Sequence, residues 1–368
     1  MSKVKWVRLG DYISPRNERN SDFRYGVELI EGVNSDGEFQ PTKAITDGID
    51  LKPYKAVWPG DIVYNPSRLN IGSLAYRENG MCIVSHLYQV FHVKEEFKNE
   101  LLPEFLLLWF KRDEFSRIVD YYNYGSQRAE FNLKKLGELI IPLPSLSEQQ
   151  KVVNAWKAFR EIKEQNEAKA APLMQLCPSY IQELKHKYPA QEIGPHLQFF
   201  REKNKDKEIS LEQGINISKE FITPQRSNSD LSSRIKVRTG QFAYCTQLNN
   251  ENVAIAYRTG PDCVVSPVYE VFEIKKESRE QLLPEYLFIW LSRPEFGRYV
   301  YWSSVGSAYE FLRFDNLYAY KIAFPPLDVQ RAIVNIYKCA NEAKLIAAEA
   351  DRLSREVCPA MIQHVIHN

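Results

Sequence analysis

Apolar and polar positions run along this chain in two successive series that carry the same elements in the same order. Val84–Val93 and Val265–Ile274 each alternate in parts and are rich in β-branched and aromatic residues, which predicts strands. Leu102–Tyr122 places apolar residues at 105, 106, 109, 110, 118, 119 and 122. That is helical spacing, and Pro103 suits the first turn. The matching run in the second series carries Pro294 in its middle, which predicts two shorter helices there.

Each series ends in a proline exit. Ile140–Val153 reads IIPLPSLSEQQKVV, and Ile322–Val334 reads IAFPPLDVQRAIV. Apolar residues close a strand, prolines block both helix and inner-strand pairing, and a capping residue (Ser147 or Asp328) opens a long helix. Ser147 and Gln150 have the spacing of a capping box. Beyond the exit, Val152, Trp156, Phe159 and Ile162 share one helical face. The second copy offers Ile333, Ile336 or Tyr337, Ala340, Ala343 and Ala347. Pro172 predicts a stop, with a second short helix from Pro178 to Lys187. A one-sided stripe needs a partner, and the other copy's helix is the natural one. About 25 helical residues span roughly 37 Å, close to one turn of B-DNA at roughly 34–36 Å.

The repeat covers nearly the whole chain at an offset of about 180–184 residues. RLGDYI (8–13) answers to EIGPHL (192–197), and PGDIVYN (59–65) to TGQFAYC (239–245). CIVSHLYQVFHVK (82–94) answers to CVVSPVYEVFEIK (263–275), LLPEFLLLWFKRDEF (101–115) to LLPEYLFIWLSRPEF (282–296), and CPSYIQ (177–182) to CPAMIQ (358–363). The period is too long for a solenoid. The expected fold class is α/β of the α+β type: two repeated mixed domains, each followed by a long helix, the helices pairing antiparallel. The expected domains are 1–145, a helical region 146–188, a second domain 189–326 and a terminal helix 327–368. Polar stretches at 14–24, 65–72, 120–132, 201–210, 224–234, 245–252 and 302–313 read as loops.

A length of 368 residues leaves room for two cores. Trp6, Trp58, Trp109, Trp156 and Trp290 sit in apolar patterns and read as core. Six cysteines occur singly, with no CxxC, so the pattern points to neither zinc nor a disulfide framework. Cys82, Cys263, Cys177 and Cys358 match between copies beside apolar residues and read as buried thiols. A net charge of +1 argues mildly against a free-standing high-affinity nucleic-acid binder. No apolar run reaches membrane-spanning length, and MSKVKWVRLG lacks the apolar core of a secretion signal.

Catalytic signatures are missing: there is no Walker A loop, G-x-G-x-x-G, H-E-x-x-H or G-x-S-x-G. Asn65-Pro66-Ser67-Arg68 only faintly resembles the Asn-Pro-Pro-aromatic loop of adenine methyltransferases. Asp262, Glu273 and Lys275 have the residue types of a metal-dependent nuclease. In the first copy, however, Asp262 and Glu273 become Met81 and His92. The positive signal lies in loops at equivalent places. Arg68 and Asn70 face Gln247, Asn249 and Asn250; these side chains make bidentate contacts with purine edges. Tyr124, Ser126, Gln127 and Arg128 face Ser307 and Tyr309, with Arg313 nearby; small residues, hydroxyls and amides can approach phosphate. Framework segments agree between copies while these loops do not, as expected of two binding modules on one scaffold.

The W-x-R-L-G-D opening (Trp6, Arg8, Leu9, Gly10, Asp11), PGDIVYN, VSHLYQV with VSPVYEV, and the two proline–glutamine exits together resemble the specificity subunit of Type I restriction–modification systems. The resemblance spans essentially the full chain. It implies two target-recognition domains, each reading half of a split, asymmetric double-stranded DNA site. It implies that the paired helices, including Val152, Trp156, Phe159, Ile333, Tyr337 and Ala340, act as spacer and docking elements. The implied partners are two methyltransferase subunits, which carry S-adenosylmethionine and methylate adenine N6, and motor–nuclease restriction subunits, which use ATP and Mg. It implies no catalysis or cofactor in this chain, and a cytoplasmic location in a bacterium or archaeon; the alternatives are the metal-dependent nuclease using Asp262, Glu273 and Lys275, and a protein–protein scaffold whose helices bind partners and whose domains do not bind DNA. The prolines at 172, 178 and 359 and the sequence Ala323-Phe324-Pro325-Pro326 depart from the family pattern and bear on spacer length and docking.

Overall fold

Hydrogen-bonded strand pairs repeat in the two halves of the chain with one topology. The computed structural model describes residues 4–42, 46–124, 130–225, 230–249, 252–303 and 311–367. The first half runs β1 (Lys5–Arg8), α1 (Leu9–Tyr12), β2 (Ile13–Pro15), β3 (Glu31–Val33), β4 (Phe39–Pro41), β5 (Lys55–Val57), β6 (Asp61–Tyr64), β7 (Leu74–Tyr76), β8 (Cys82–Val84) and β9 (Gln89–Val93). It continues through α2 (Pro103–Phe110), α3 (Asp113–Asn123), α4 (Leu133–Gly137) and β10 (Ile140–Leu143) to α5 (Leu146–Lys187). The second half runs β11 (Ala190–Glu192), β12 (Leu197–Phe200), β13 (Gly214–Ile215), β14 (Phe221–Ile222), β15 (Ile235–Val237), β16 (Phe242–Asn249), β17 (Asn252–Tyr257), β18 (Cys263–Val265) and β19 (Tyr269–Ile274). It closes with α6 (Pro284–Ser292), α7 (Pro294–Ser303), α8 (Phe314–Tyr318), β20 (Lys321–Ala323) and α9 (Leu327–His367).

Each half builds a four-stranded antiparallel sheet, β2-β9-β6-β7 in one and β12-β19-β16-β17 in the other. Each also has three strand pairs at matching places: β1-β10, β3-β4 and β5-β8, against β11-β20, β13-β14 and β15-β18. The runs Val84–Val93 and Val265–Ile274, expected as single strands, are each divided. Turns in which Ser85 and Ser266 carbonyls accept from the Tyr88 and Tyr269 amides, both at 3.0 Å, separate β8 from β9 and β18 from β19. The turn sends the two pieces to different sheets.

Contacts divide the chain into two units, residues 1–165 with 346–368, and residues 166–345. Both long helices are therefore shared out. In the first unit the beginning of α5 lies with the end of α9: Val152 and Val153 share a core with Ile362, and Lys163 pairs with Asp351 at 3.1 Å. In the second unit the end of α5 lies with the beginning of α9, Ile181 and Leu184 sharing a core with Ile333 and Val334. Within each unit the helices therefore run antiparallel.

α5 runs through Pro172, where a stop was expected, and through Pro178, where a second short helix was expected to start, and α9 runs through Pro359. A proline removes one helical hydrogen bond and crowds the preceding turn. Burial of Ala170, Cys177, Ile181 and Leu184 along one stripe offsets that cost. The helix expected over Leu102–Tyr122 is broken like its counterpart. Arg112, with ψ 147°, leaves the helical region between α2 and α3, as Arg293 does at ψ 148°. Proline is thus not needed for this break; a buried arginine sits at it in both copies.

The cap of α5 is Ser145, whose hydroxyl accepts from the Glu148 amide at 3.3 Å, two residues before the expected Ser147. Asp328 lies inside α9; the first-turn bond there runs from the Gln330 amide to the Pro326 carbonyl at 3.1 Å. Trp6 is 56% exposed, not core, because β1 turns only Val7 inward. Trp109 and Trp290 are buried, and Trp58 and Trp156 are half-buried. Cys82, Cys177, Cys263 and Cys358 are buried free thiols. No helix among the described residues is long and apolar enough to cross a membrane.

Candidate nucleic-acid interface

In the first unit the candidate surface grows from the end of β6. The Asn65 amide donates to the Ser73 carbonyl at 3.0 Å, closing the loop that follows. The Asn65 side-chain oxygen accepts from the Ser67 amide at 3.0 Å, an Asx turn. That bond accounts for Asn65-Pro66-Ser67-Arg68 structurally. A short 3₁₀ turn spans Leu69–Ile71, with Leu69 buried as its anchor. Gly72 follows at φ +92°, where a Cβ would stand 2.3 Å from the Ser35 carbonyl oxygen, so only glycine fits this return. Arg68 is left exposed at the tip.

Asn70 has a partner within its own unit. Its amide donates to the Asp120 carboxylate of α3 at 2.9 Å and braces the loop against that helix. The Phe131 amide donates to the Pro66 carbonyl at 2.9 Å, tying in the chain beyond α3. Three exposed tyrosines, Tyr121, Tyr122 and Tyr124, stand at the end of α3. Arg68, Asn70 and Tyr124 thus belong to one braced region. Ser126, Gln127 and Arg128 lie outside the described residues.

The second unit replaces this loop with a longer hairpin. Within the run 245–252, expected as a loop, residues 245–249 extend β16 and residue 252 begins β17. The register between the strands slips between Tyr244 and Leu248, a bulge that turns the hairpin. Gln247 is exposed there and forms an isolated bridge with Phe311. The Leu312 amide donates to the Thr246 carbonyl at 2.7 Å, the counterpart of the Phe131–Pro66 bond. Asn249 ends β16. Asn250, Ser307 and Tyr309 lie outside the described residues.

An open groove of about 450 Å³ runs beside this hairpin, with Phe199, Tyr244, Thr246, Glu270, Arg313 and Phe314 among its lining. Burial pushes the Tyr244 hydroxyl well above the usual phenol range, which keeps it protonated. Glu270 is ion-paired with Arg201. Arg313 is exposed and precedes α8 without a side-chain cap bond. Asn132 at the matching place caps α4, accepting from the Lys135 amide at 3.0 Å. A capping side chain has given way to a cation in the second copy. Sequence reasoning found Arg313 but not its company, because Phe199, Glu270 and Phe314 converge from distant segments.

The apolar residues expected to dock partners are largely consumed within their own units. Val152, Ile333 and Ala340 are buried, and Trp156 and Tyr337 pack on their unit's core. Phe159 is half-buried. These positions hold the helices to the domains.

The nuclease alternative has no support. Asp262 accepts from the Thr239 amide at 2.8 Å and pairs with Arg238 at 3.2 Å, closing a turn. These bonds hold its carboxyl below the usual range, the Thr239 amide contributing most. Glu273 accepts from Gln241 at 3.3 Å, and Lys275 donates to the Pro195 carbonyl at 2.7 Å. Among the described residues no group of three or more His, Cys, Asp or Glu is placed to hold a metal ion.

Residues 17–171 match the family model of the Type I restriction modification DNA specificity domain. A comparison with curated proteins found no match. Among solved structures, the S subunit of a Type-I restriction-modification system from M. genitalium shares the fold at TM-score 0.63 and 13% identity, covering 99% of this chain and 97% of that one. The HsdS subunit from Thermoanaerobacter tengcongensis is 16% identical, with TM-score 0.41 and coverage of 97% and 96%.

Proposed function

We propose that this chain is a DNA specificity subunit of the Type I restriction–modification kind, the reading supported by the match of residues 17–171 to that family's domain model, and that its two units work as follows. The specificity family is non-catalytic, and the chain serves as the DNA-recognition subunit. The observation that carries the reading of two half-sites is the pair of unlike surfaces on one repeated scaffold. A braced loop presents Arg68 in the first unit, and in the second a bulged hairpin presents Gln247, bridged to Phe311, while Arg313 lines a groove beside that hairpin.

In this proposal each unit reads one half of a split, asymmetric duplex site through its major groove. Arginine and glutamine make the bidentate base contacts that carry direct readout. The helices α5 and α9 hold the two readers and receive two methyltransferase subunits, with restriction subunits joining for cleavage. S-adenosylmethionine, ATP and Mg belong to those partners, and the target is adenine N6 in the bacterial or archaeal cytoplasm. A near-zero net charge fits a reader whose partners share the work of holding DNA.

The test is duplex binding by the full chain with and without its methyltransferase partner. The proposal expects sequence-specific binding that is strong only in the complex. An assembled complex that holds all duplexes equally would overturn it.

A further inference from the structure

α3 and α7 stand at the same place in their units and are built alike. Each starts after a buried arginine set over a tryptophan, Arg112 on Trp109 at 6.0 Å and Arg293 on Trp290 at 5.4 Å. Each arginine pairs with a first-turn glutamate, Glu114 or Glu295, at 3.2 and 3.1 Å. Phe115 and Val119 are buried in one helix, Phe296 and Val300 in the other. These matches fix the register between the helices residue by residue.

In that register the exposed faces also agree. Arg117 answers to Arg298, and Tyr121 answers to Trp302. Both arginines are exposed. Tyr121 is 80% exposed and Trp302 is 74% exposed. A separation of four residues puts arginine and ring on one helical face. One exposed aromatic is ordinary. Two at the same position are not, when the residues beside them have changed: Asp120 has become Tyr301, and Tyr122 has become Ser303. The change from tyrosine to tryptophan keeps a flat ring and discards the hydroxyl. The shared requirement is therefore a ring face next to a guanidinium.

Both pairs sit beside the reading surfaces. The Asn70–Asp120 bond fixes the first loop to the residue preceding Tyr121. In the second unit α7 packs against β17 of the hairpin that carries Gln247. A guanidinium suits a phosphate, and a flat ring suits a deoxyribose or a base step.

We propose that Arg117 with Tyr121, and Arg298 with Trp302, are matched sequence-independent grips on the DNA backbone, one for each half-site. They hold the duplex in the register at which the neighbouring loops read bases. This rests on the DNA-recognition reading above.

The test uses the full chain assembled with its methyltransferase partner, and two labelled duplexes, one carrying the recognised motif and one scrambled. Tyr121→Ala and Trp302→Ala are expected to weaken binding, by the same factor on both duplexes. Arg117→Ala and Arg298→Ala should do likewise and lower the salt slope by about one. Tyr121→Phe should bind like the parent, since only the ring is required. Melting temperatures check that each variant is folded. Unchanged binding, a loss confined to the motif duplex, or failure of a folded variant to assemble with its partner would overturn the grip. A parent complex that binds neither duplex would instead overturn the DNA-recognition reading and the grip with it.

Discussion

Gln149, fully buried at the start of α5, accepts a hydrogen bond from the Leu102 amide at 2.9 Å, just ahead of α2. Its side-chain nitrogen donates to the Glu100 and Pro144 carbonyls at 2.7 and 2.9 Å. Gln330 repeats this in the second unit, with Leu283 at 2.9 Å, Gln281 at 2.7 Å and Pro325 at 2.8 Å. One side chain satisfies three backbone groups and ties the long helix to the domain that precedes it. The glutamine of the proline exit is thus a clamp.

Replacing Gln149 by Ala strands a donor and two acceptors in the interior. Each buried unsatisfied group costs roughly 1–3 kcal/mol. Some reopening to water lowers the total, and we expect a loss of about 2–4 kcal/mol, read from denaturant unfolding. A midpoint within error of the parent would show that the clamp contributes nothing.

Gly10 and Gly137 allow α1 and α4 to touch. A Cβ on Gly10 would lie 2.9 Å from the Gly137 carbonyl oxygen, and one on Gly137 would lie 3.3 Å from the Gly10 Cα. Gly10→Ala should destabilise by about 1–3 kcal/mol through overpacking against backbone, and Gly137→Ala by less. Thermal unfolding of both variants checks the order; equal melting points would contradict it.

Burial in the second core raises the Tyr320 phenol to about 12 from its ordinary 10. Above pH 10 the unfolded chain releases this proton while the folded chain keeps it. The associated stability is fully present below pH 10 and is lost as pH rises through 12. Two pKa units correspond to at most about 3 kcal/mol. Tyr320→Phe should therefore lose stability less steeply than the parent between pH 10 and pH 12. Parallel curves from denaturant titrations across that range would exclude this role.

Arg68 and Gln247 are exposed on the surfaces proposed to read DNA, and among the described residues their side chains lack the bracing bonds that occupy Asn70 and Asp262. Substituting either should change which base is preferred at one position, by about 1–3 kcal/mol for a lost bidentate contact. Competition binding with single-base variants of the site measures this. An equal loss on every sequence would assign these residues to the backbone instead.

The repeat made much of this fold legible, because matched strands and matched proline exits set the order of elements twice over. The errors arose where tertiary contacts overrode local signals. Pro172 reads as a stop and Pro178 as a fresh helix start, yet a buried stripe carries one continuous α5 past both. The polar run 245–252 reads as a loop, yet its residues 245–249 belong to β16, Asn249 pairs with Asn252, and Thr246 is tied to Leu312. Trp6 reads as core, yet its strand turns only Val7 inward. Asn70 has the chemistry of a base reader, and only its distance to Asp120 reveals a brace. The Arg117–Tyr121 and Arg298–Trp302 match was present in the sequence at the repeat offset, but its importance depends on exposure.

The central claim is most directly tested by co-expressing the chain with the proposed methyltransferase partner and mapping N6-methyladenine in the host DNA. The account predicts one split, asymmetric motif that appears only when this chain is present. An intact complex that leaves no such motif would contradict it.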